Sequence, residues 1–178
     1  MRIISGLHKG RKISAPKNLP IRPTTDMAKE AMFNILNNSY YFDEIAVLDL
    51  FSGSGSISFE FASRGCEQLT AVEIHAGCIN FISKTAEALD MPITAIKSDV
   101  FTFLQKTSQK FDLIFADPPY ALPTEEFEQI AQIVLERGLL NEGGVLIIEH
   151  EKHTDLSKAS NFKDARRYGS SVFSFFEK

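Results

Sequence analysis

Hydrophobic positions along this chain fall into two rhythms. From Ile45 onward, apolar runs at 45–50, 69–74, 93–97, 111–116 and 144–149 alternate with helix-like segments at about 56–64, 76–89, 100–106 and 124–137. A run such as Val145-Leu146-Ile147-Ile148 lacks the in–out alternation of a half-exposed strand, so it predicts burial on both faces. Buried strands alternating with helices predict βαβ units and a mostly parallel, twisted α/β sheet with helices on both faces. The tail offers two more β-prone stretches, about 163–168 and 171–176, with Gly169 at the turn. They predict an antiparallel hairpin closing the sheet edge.

Before Ile45 the pattern is different. Arg2-Ile3-Ile4-Ser5 and Arg11-Lys12-Ile13-Ser14 flank Gly6 to Gly10 and predict a small β-hairpin. Pro16, Pro20 and Pro23 mark an extended connector. Thr24 and Thr25 are N-cap candidates for a helix reaching about Asn37, with Ala28, Ala31, Met32, Ile35 and Leu36 on one face. The chain therefore reads as one domain over 1–178, with 1–23 as hairpin and connector and 24–178 as core and leading helix.

Composition adds limits. A chain of 178 residues suits one well-buried core. No apolar stretch approaches the roughly 20 residues of a membrane span, and the N-terminus lacks a signal-peptide pattern. With Cys66 and Cys78 expected to be buried or idle thiols, the reading is cytoplasmic. His8, His75, His150 and His153 show no metal-ligand spacing with the cysteines, so no metal is expected, and His150 and His153 are expected on the surface after a strand. Net charge is −4, but residues 1–30 hold seven Lys/Arg against Asp26 and Glu30, a net of +5. The remainder carries −9. A basic end on an acidic body suggests one face for a polyanion.

Two strand ends carry the chemistry. The first run leads into Asp49-Leu50-Phe51-Ser52-Gly53-Ser54-Gly55. Gly53 and Gly55 let backbone approach a ligand at a helix N-terminus. Ser58 breaks a dinucleotide G-x-G-x-x-G fingerprint, and Asp49 would repel a pyrophosphate, whereas it suits a ligand carrying sulfonium and ammonium charge. Glu73, at the second strand end, can accept from both hydroxyls of a ribose. Asp99, after the third, either accepts from an adenine amine, with the Val100 amide donating to the ring, or caps the following helix.

The fourth run ends in Asp117-Pro118-Pro119-Tyr120. An exocyclic amine on a base is a poor nucleophile, because its lone pair is delocalised into the ring. Two acceptors aimed at its hydrogens, the Asp117 carboxylate and the Pro118 carbonyl, can draw the nitrogen toward tetrahedral geometry. The two prolines fix the turn in advance, and Tyr120 offers a face for a flipped base.

These motifs resemble those of class I S-adenosylmethionine-dependent methyltransferases that act on exocyclic amines. The chain is also similar, over essentially its whole length, to the bacterial small-subunit rRNA guanine-N2 methyltransferase family. That likeness rests on Arg2-Ile3-Ile4-Ser5-Gly6, Lys9-Gly10-Arg11-Lys12, Arg22-Pro23-Thr24-Thr25-Asp26 and Arg167-Tyr168-Gly169. It implies a Rossmann-like class I fold and S-adenosyl-L-methionine as cofactor. Asp49, Phe51, Gly53, Ser54, Gly55, Glu73, Ile74, Asp99 and Val100 would hold it, with Thr24 and Thr25 closing the site. Asp117, Pro118, Pro119 and Tyr120 would hold the guanine, while Arg2, Lys9, Arg11, Lys12 and Arg22 would engage 16S rRNA. The substrate would be a small subunit or an assembly intermediate, and the protein a monomer. Adenine-N6 or cytosine-N4 methylation of DNA or RNA fits the same turn. A rival of another class is an RNA-binding assembly factor without catalysis, against which the intact acids and glycines argue; a nicotinamide dehydrogenase fits Asp49 and Ser58 least.

Overall fold

The computed structural model describes residues 1–178. Seven strands form one sheet in the order β3-β2-β1-β4-β5-β7-β6. They are β1 (Ala46–Leu50), β2 (Gln68–Glu73), β3 (Ile93–Lys97), β4 (Phe111–Ala116), β5 (Leu140–Glu151), β6 (Phe162–Tyr168) and β7 (Ser171–Glu177). The first five are parallel, and β7 and β6 complete the edge antiparallel. Helices α1 (Asp26–Leu36), α2 (Ser56–Ser63), α3 (Ala76–Ala88), α4 (Val100–Lys106) and α5 (Thr124–Glu136) supply the covering layers. No helix is long and apolar enough to cross a membrane.

Strand geometry divides the core in two. Even-numbered Leu48, Leu50, Ile114, Ala116, Leu146 and Ile148 pack with α4 and α5. Odd-numbered Val47, Leu113, Phe115, Val145 and Ile147 pack with α1 and α2. The period-2 alternation of side chains makes this split inevitable. It also sends the residue following each odd series, two positions on, to the α1/α2 side. That side receives Asp49 of β1, Asp117 just past the end of β4 and Glu149 of β5, three adjacent strands.

Three expectations are revised. β5 extends to Glu151, so His150 lies within a strand. It is 2% exposed, its Nε2 paired with the Ser174 hydroxyl at 2.7 Å and its Nδ1 with the Glu151 carbonyl at 2.9 Å. The placement of His150 on the surface is therefore corrected: β7 covers the strand end that the hydrophobic run alone made to look finished. Residues 2–5 and 11–14 do approach antiparallel, but as a single bridge between Arg2 and Lys12 rather than two strands. The buried face of α1 is Ala28, Lys29, Met32, Phe33 and Leu36, rotated from the expected stripe. Phe33 turns inward to meet Phe42 and Phe61 edge-on, and Lys29 follows it to reach Glu60. Ala31 and Ile35 are left half-buried.

Candidate active site

β1 leads out to β2 and β3 on one side, while β4 leads to β5 on the other. Where the winding reverses, an open α/β sheet leaves a crevice beyond the strand carboxyl ends. A cleft of about 250 Å³ lies there. Its walls are the connector Pro20 to Thr24, Asp49 and the turn Phe51 to Ser54, Glu73 and Ile74 after β2, and Asp117 with Pro119 after β4.

The glycine turn is held by its own backbone. Gly53 and Gly55 adopt positive φ, +54° and +86°, and a Cβ on Gly55 would meet Ile82 at 2.9 Å and Phe59 at 3.0 Å. Gly55 then caps the start of α2. Gly53 donates its N–H to Glu73 Oε2 at 2.9 Å, and the Ile74 and His75 amides donate to Oε1 at 3.0 and 3.1 Å. Glu73 is thereby fixed at the cleft wall before any ligand enters.

Asp49 is 1% exposed and has no cationic partner. It accepts from the Ser58 hydroxyl at 2.6 Å, with a second hydrogen bond from the Ser58 backbone. Burial pushes its carboxyl up to about 7, against the opposing pull of the Ser58 hydrogen bond. Ser58, which broke the dinucleotide pattern, thus has a different task as the buried partner of Asp49. The cleft sets Asp49, Glu73 and Asp117 against the single cation Arg22, so its lining is predominantly acidic. The raised Asp49 carboxyl also bears on stability. Between an ordinary carboxylate pKa near 3.9 and about 7, the folded protein holds a proton that the unfolded chain has released. Asp49 therefore makes the fold less stable as pH rises through that window. Asp49→Asn is expected to remove this decline, seen as a higher melting temperature than the parent at mildly alkaline pH and a smaller difference at acid pH.

Opposite the glycine turn, Asp117 and Glu149 stand side by side, because Ala116 pairs with Ile148 in the β4–β5 ladder. Burial raises the Asp117 carboxyl well above its ordinary range and the Glu149 carboxyl above its own; the neighbouring Glu149 raises Asp117 further, and Arg22 pulls each back down. Arg22 ion-pairs with Asp117, and its guanidinium lies 3.6 Å from the centroid of the Tyr120 ring. Glu149, 1% exposed, accepts from the Thr24 hydroxyl at 3.5 Å and is hydrogen-bonded by Ser171. Sequence reasoning missed Glu149. Its one signal is an acid directly after a fully buried run, the same signal that marked Asp117.

The structure gathers most of the anticipated residues. Asp49, Phe51, Gly53, Ser54, Glu73, Ile74, Thr24, Asp117 and Pro119 all line the cleft. Thr25 instead caps α1, accepting from the Ala28 amide at 3.2 Å. Asp99 caps α4 through Thr102 N–H at 2.9 Å. It and Val100 sit at the same carboxyl edge of the sheet, beyond the residues that line the cleft. Tyr120 is 41% exposed at the mouth. Of the basic residues, Arg2 pairs with Asp26 at 3.2 Å, while Arg22 turns into the cleft rather than outward. Arg11 and Lys12 share a groove with Phe81 and Lys84 of α3, so Lys84 joins the anticipated basic set. No group of three or more His, Cys, Asp or Glu is placed to hold a metal ion.

Sheet order, switch-point cleft and edge hairpin define a Rossmann-like methyltransferase fold. The chain belongs to the Conserved hypothetical protein 95 family, whose model matches residues 1–177. Ribosomal RNA small subunit methyltransferase D of Haemophilus influenzae is 31% identical, over 91% of this chain and 84% of that protein. A hypothetical protein of Thermus thermophilus, of solved structure, superposes with a TM-score of 0.86 at 25% identity, covering 100% of this chain and 99% of that one. A T. thermophilus 16S rRNA N2 methyltransferase, solved with AdoMet and guanosine, shares the fold at 21% identity and a TM-score of 0.70, over 90% of this chain and 45% of that one.

Proposed function

We propose that this protein transfers a methyl group from S-adenosylmethionine to the exocyclic N2 amine of a guanosine in 16S rRNA. One observation carries the reading: the acidic glycine turn and the Asp117-Pro118-Pro119-Tyr120 turn face each other across one cleft. The first suits a cationic nucleoside; the second suits an amine on a flat ring. The relatives named as small-subunit rRNA methyltransferases support the substrate class.

When bound, S-adenosylmethionine supplies an electrophilic methyl group on a positively charged sulfur. Asp49 and Glu73 would hold its charged and hydroxyl-bearing parts, with Gly53 and Ser54 close against it. Asp117 would accept a hydrogen bond from the N2 amine, and Pro118 through its carbonyl a second, so that the nitrogen lone pair points at the methyl group. Asp117 would take up the proton released as the new C–N bond forms. Tyr120 would stack on the base once it has left its helix or loop, since a stacked base cannot present its amine to a buried cleft. Asp99 and Val100 would meet the adenine end, further along the strand edge.

Lys9, Arg11, Lys12 and Lys84 would follow the RNA backbone by phosphate contacts, which makes affinity salt-dependent. The basic extension is too small to hold long RNA by itself, which supports a small subunit or assembly intermediate as substrate. Two experiments test the reading. Calorimetry of S-adenosylmethionine binding is expected to show proton release below pH 7, fading at higher pH, because the cation favours ionised Asp49; no pH-dependent release would remove Asp49 from the cofactor site. Small subunits from a strain lacking the protein, incubated with labelled S-adenosylmethionine, are expected to take label into 16S rRNA. Small subunits that take up no label would overturn the assignment.

A further inference from the structure

One side chain stands where the proposed function puts the target base. Arg22, carried in by the Pro20–Pro23 connector, ion-pairs with Asp117, and its guanidinium carbon lies over the Tyr120 ring, 3.6 Å from the centroid. Those are the two contacts assigned to the guanine: amine hydrogens to Asp117 and ring face to Tyr120. Both cannot be held at once, because the guanidinium fills the layer in which a base would stack. We propose that Arg22 is a specificity-determining seat-holder: it occupies the place of the target base in the free protein and is exchanged for guanine when RNA binds. This rests on the reading of the cleft as a guanine site.

The chemistry of the exchange is specific. A guanidinium is planar and presents adjacent N–H donors in a fixed fork, with no acceptor. Guanine presents the same pattern along N1–H and the N2 amine, which share one carbon. Adenine and cytosine differ: neither has a ring N–H beside its exocyclic amine, so an acceptor nitrogen stands where guanine presents N1–H, whereas guanine's own acceptor N3 lies on the far side of its amine. Facing Asp117 and Glu149, the acceptor nitrogen of adenine or cytosine would set lone pair against carboxylate, a repulsive element that selects against both bases. A seat fitted to Arg22 is thus fitted to guanine. In the free protein Arg22 keeps two neighbouring buried carboxylates from standing unpaired. Once displaced, its charge is available to a phosphate of the incoming RNA.

The test compares the parent with Arg22→Gln, each with S-adenosylhomocysteine saturating. Undiminished S-adenosylhomocysteine binding shows that the variant is folded. If Arg22 fills the seat roughly nine-tenths of the time, its removal tightens guanosine binding about tenfold. An ion pair that merely pins the connector predicts equal or weaker binding, and that result overturns the proposal, as does failure of both proteins to bind guanosine. The parent protein gives a second readout in ¹⁵N-arginine spectra. The Arg22 Nε–H signal, identified by its loss in Arg22→Gln, is expected upfield under the Tyr120 ring and to lose that shift as guanosine saturates. Guanosine binding with the signal unmoved contradicts the exchange. Displacement by adenosine or cytidine, but not by guanosine, upholds the exchange and overturns the guanine reading.

Discussion

Asp117→Ala is expected to lower the single-turnover rate of methyl transfer to small subunits about 10²–10⁴-fold, the range lost when a positioned proton acceptor is removed. Binding of S-adenosylhomocysteine should change little, because the groups assigned to it are Asp49, Gly53 and Glu73, across the cleft. The separation of the two effects is what matters. Asp117 follows β4, whereas the glycine turn follows β1 and is braced by Glu73 from β2. Removing Asp117 also relieves its repulsion with Glu149 and leaves Arg22 free to pair with Glu149, so the fold should survive. Rapid-quench kinetics beside calorimetry checks both halves. Equal losses of cofactor binding and methylation would remove Asp117 from the role of amine acceptor.

The largest stability effect is expected behind the site, at Glu60. This residue is 0% exposed and Lys29 is 1% exposed. Glu60 accepts from the Ile4 and Ser5 amides at 2.8 and 3.1 Å and from Arg64 Nε at 2.8 Å, and it faces Lys29 Nζ at 3.5 Å. Lys29 in turn donates to the Arg2 carbonyl at 2.7 Å and to Ser56 Oγ at 3.2 Å. The network therefore ties the N-terminal arm to α1 and α2. Burial lowers the Lys29 pKa, and Glu60 opposes the shift. Glu60→Ala would strand two cations and two amides, and breaking such a buried pair costs about 3–5 kcal/mol. Urea denaturation measures the loss, and amide exchange at Ile4 and Ser5 should accelerate with it. A loss under about 1 kcal/mol, the scale of a surface ion pair, would show that water replaces Glu60 easily.

That network explains what the sequence could and could not reveal. Buried parallel strands announce themselves by continuous apolar runs, so β1, β2, β4 and the middle of β5 were legible from pattern alone, whereas their order in the sheet was not. Asp49, the glycine turn and Asp117 stood out because acids and glycines at the ends of such runs have no packing reason to be there. Glu149 and His150 did not stand out, because their burial depends on β7, which arrives more than twenty residues later in the chain. Lys29 and Glu60 look like solvated helix positions until α1 and α2 are brought together; each is buried only because the other is. Arg22 read as one more basic residue of an extended connector. Its turn into the cleft follows from the side-by-side carboxylates of Asp117 and Glu149, which only the β4–β5 register reveals. Asp99 was left between two roles, and its capping bond to Thr102 still leaves a carboxylate oxygen for the adenine end.

The central claim is that the cleft presents a guanine amine to a methyl donor. Nucleoside mass spectrometry of 16S rRNA tests it most directly, using small subunits from a strain lacking the protein after reaction with labelled S-adenosylmethionine. The account predicts that label appears in N2-methylguanosine and is absent when Asp117→Ala replaces the parent. Label in N6-methyladenosine or N4-methylcytosine would contradict it.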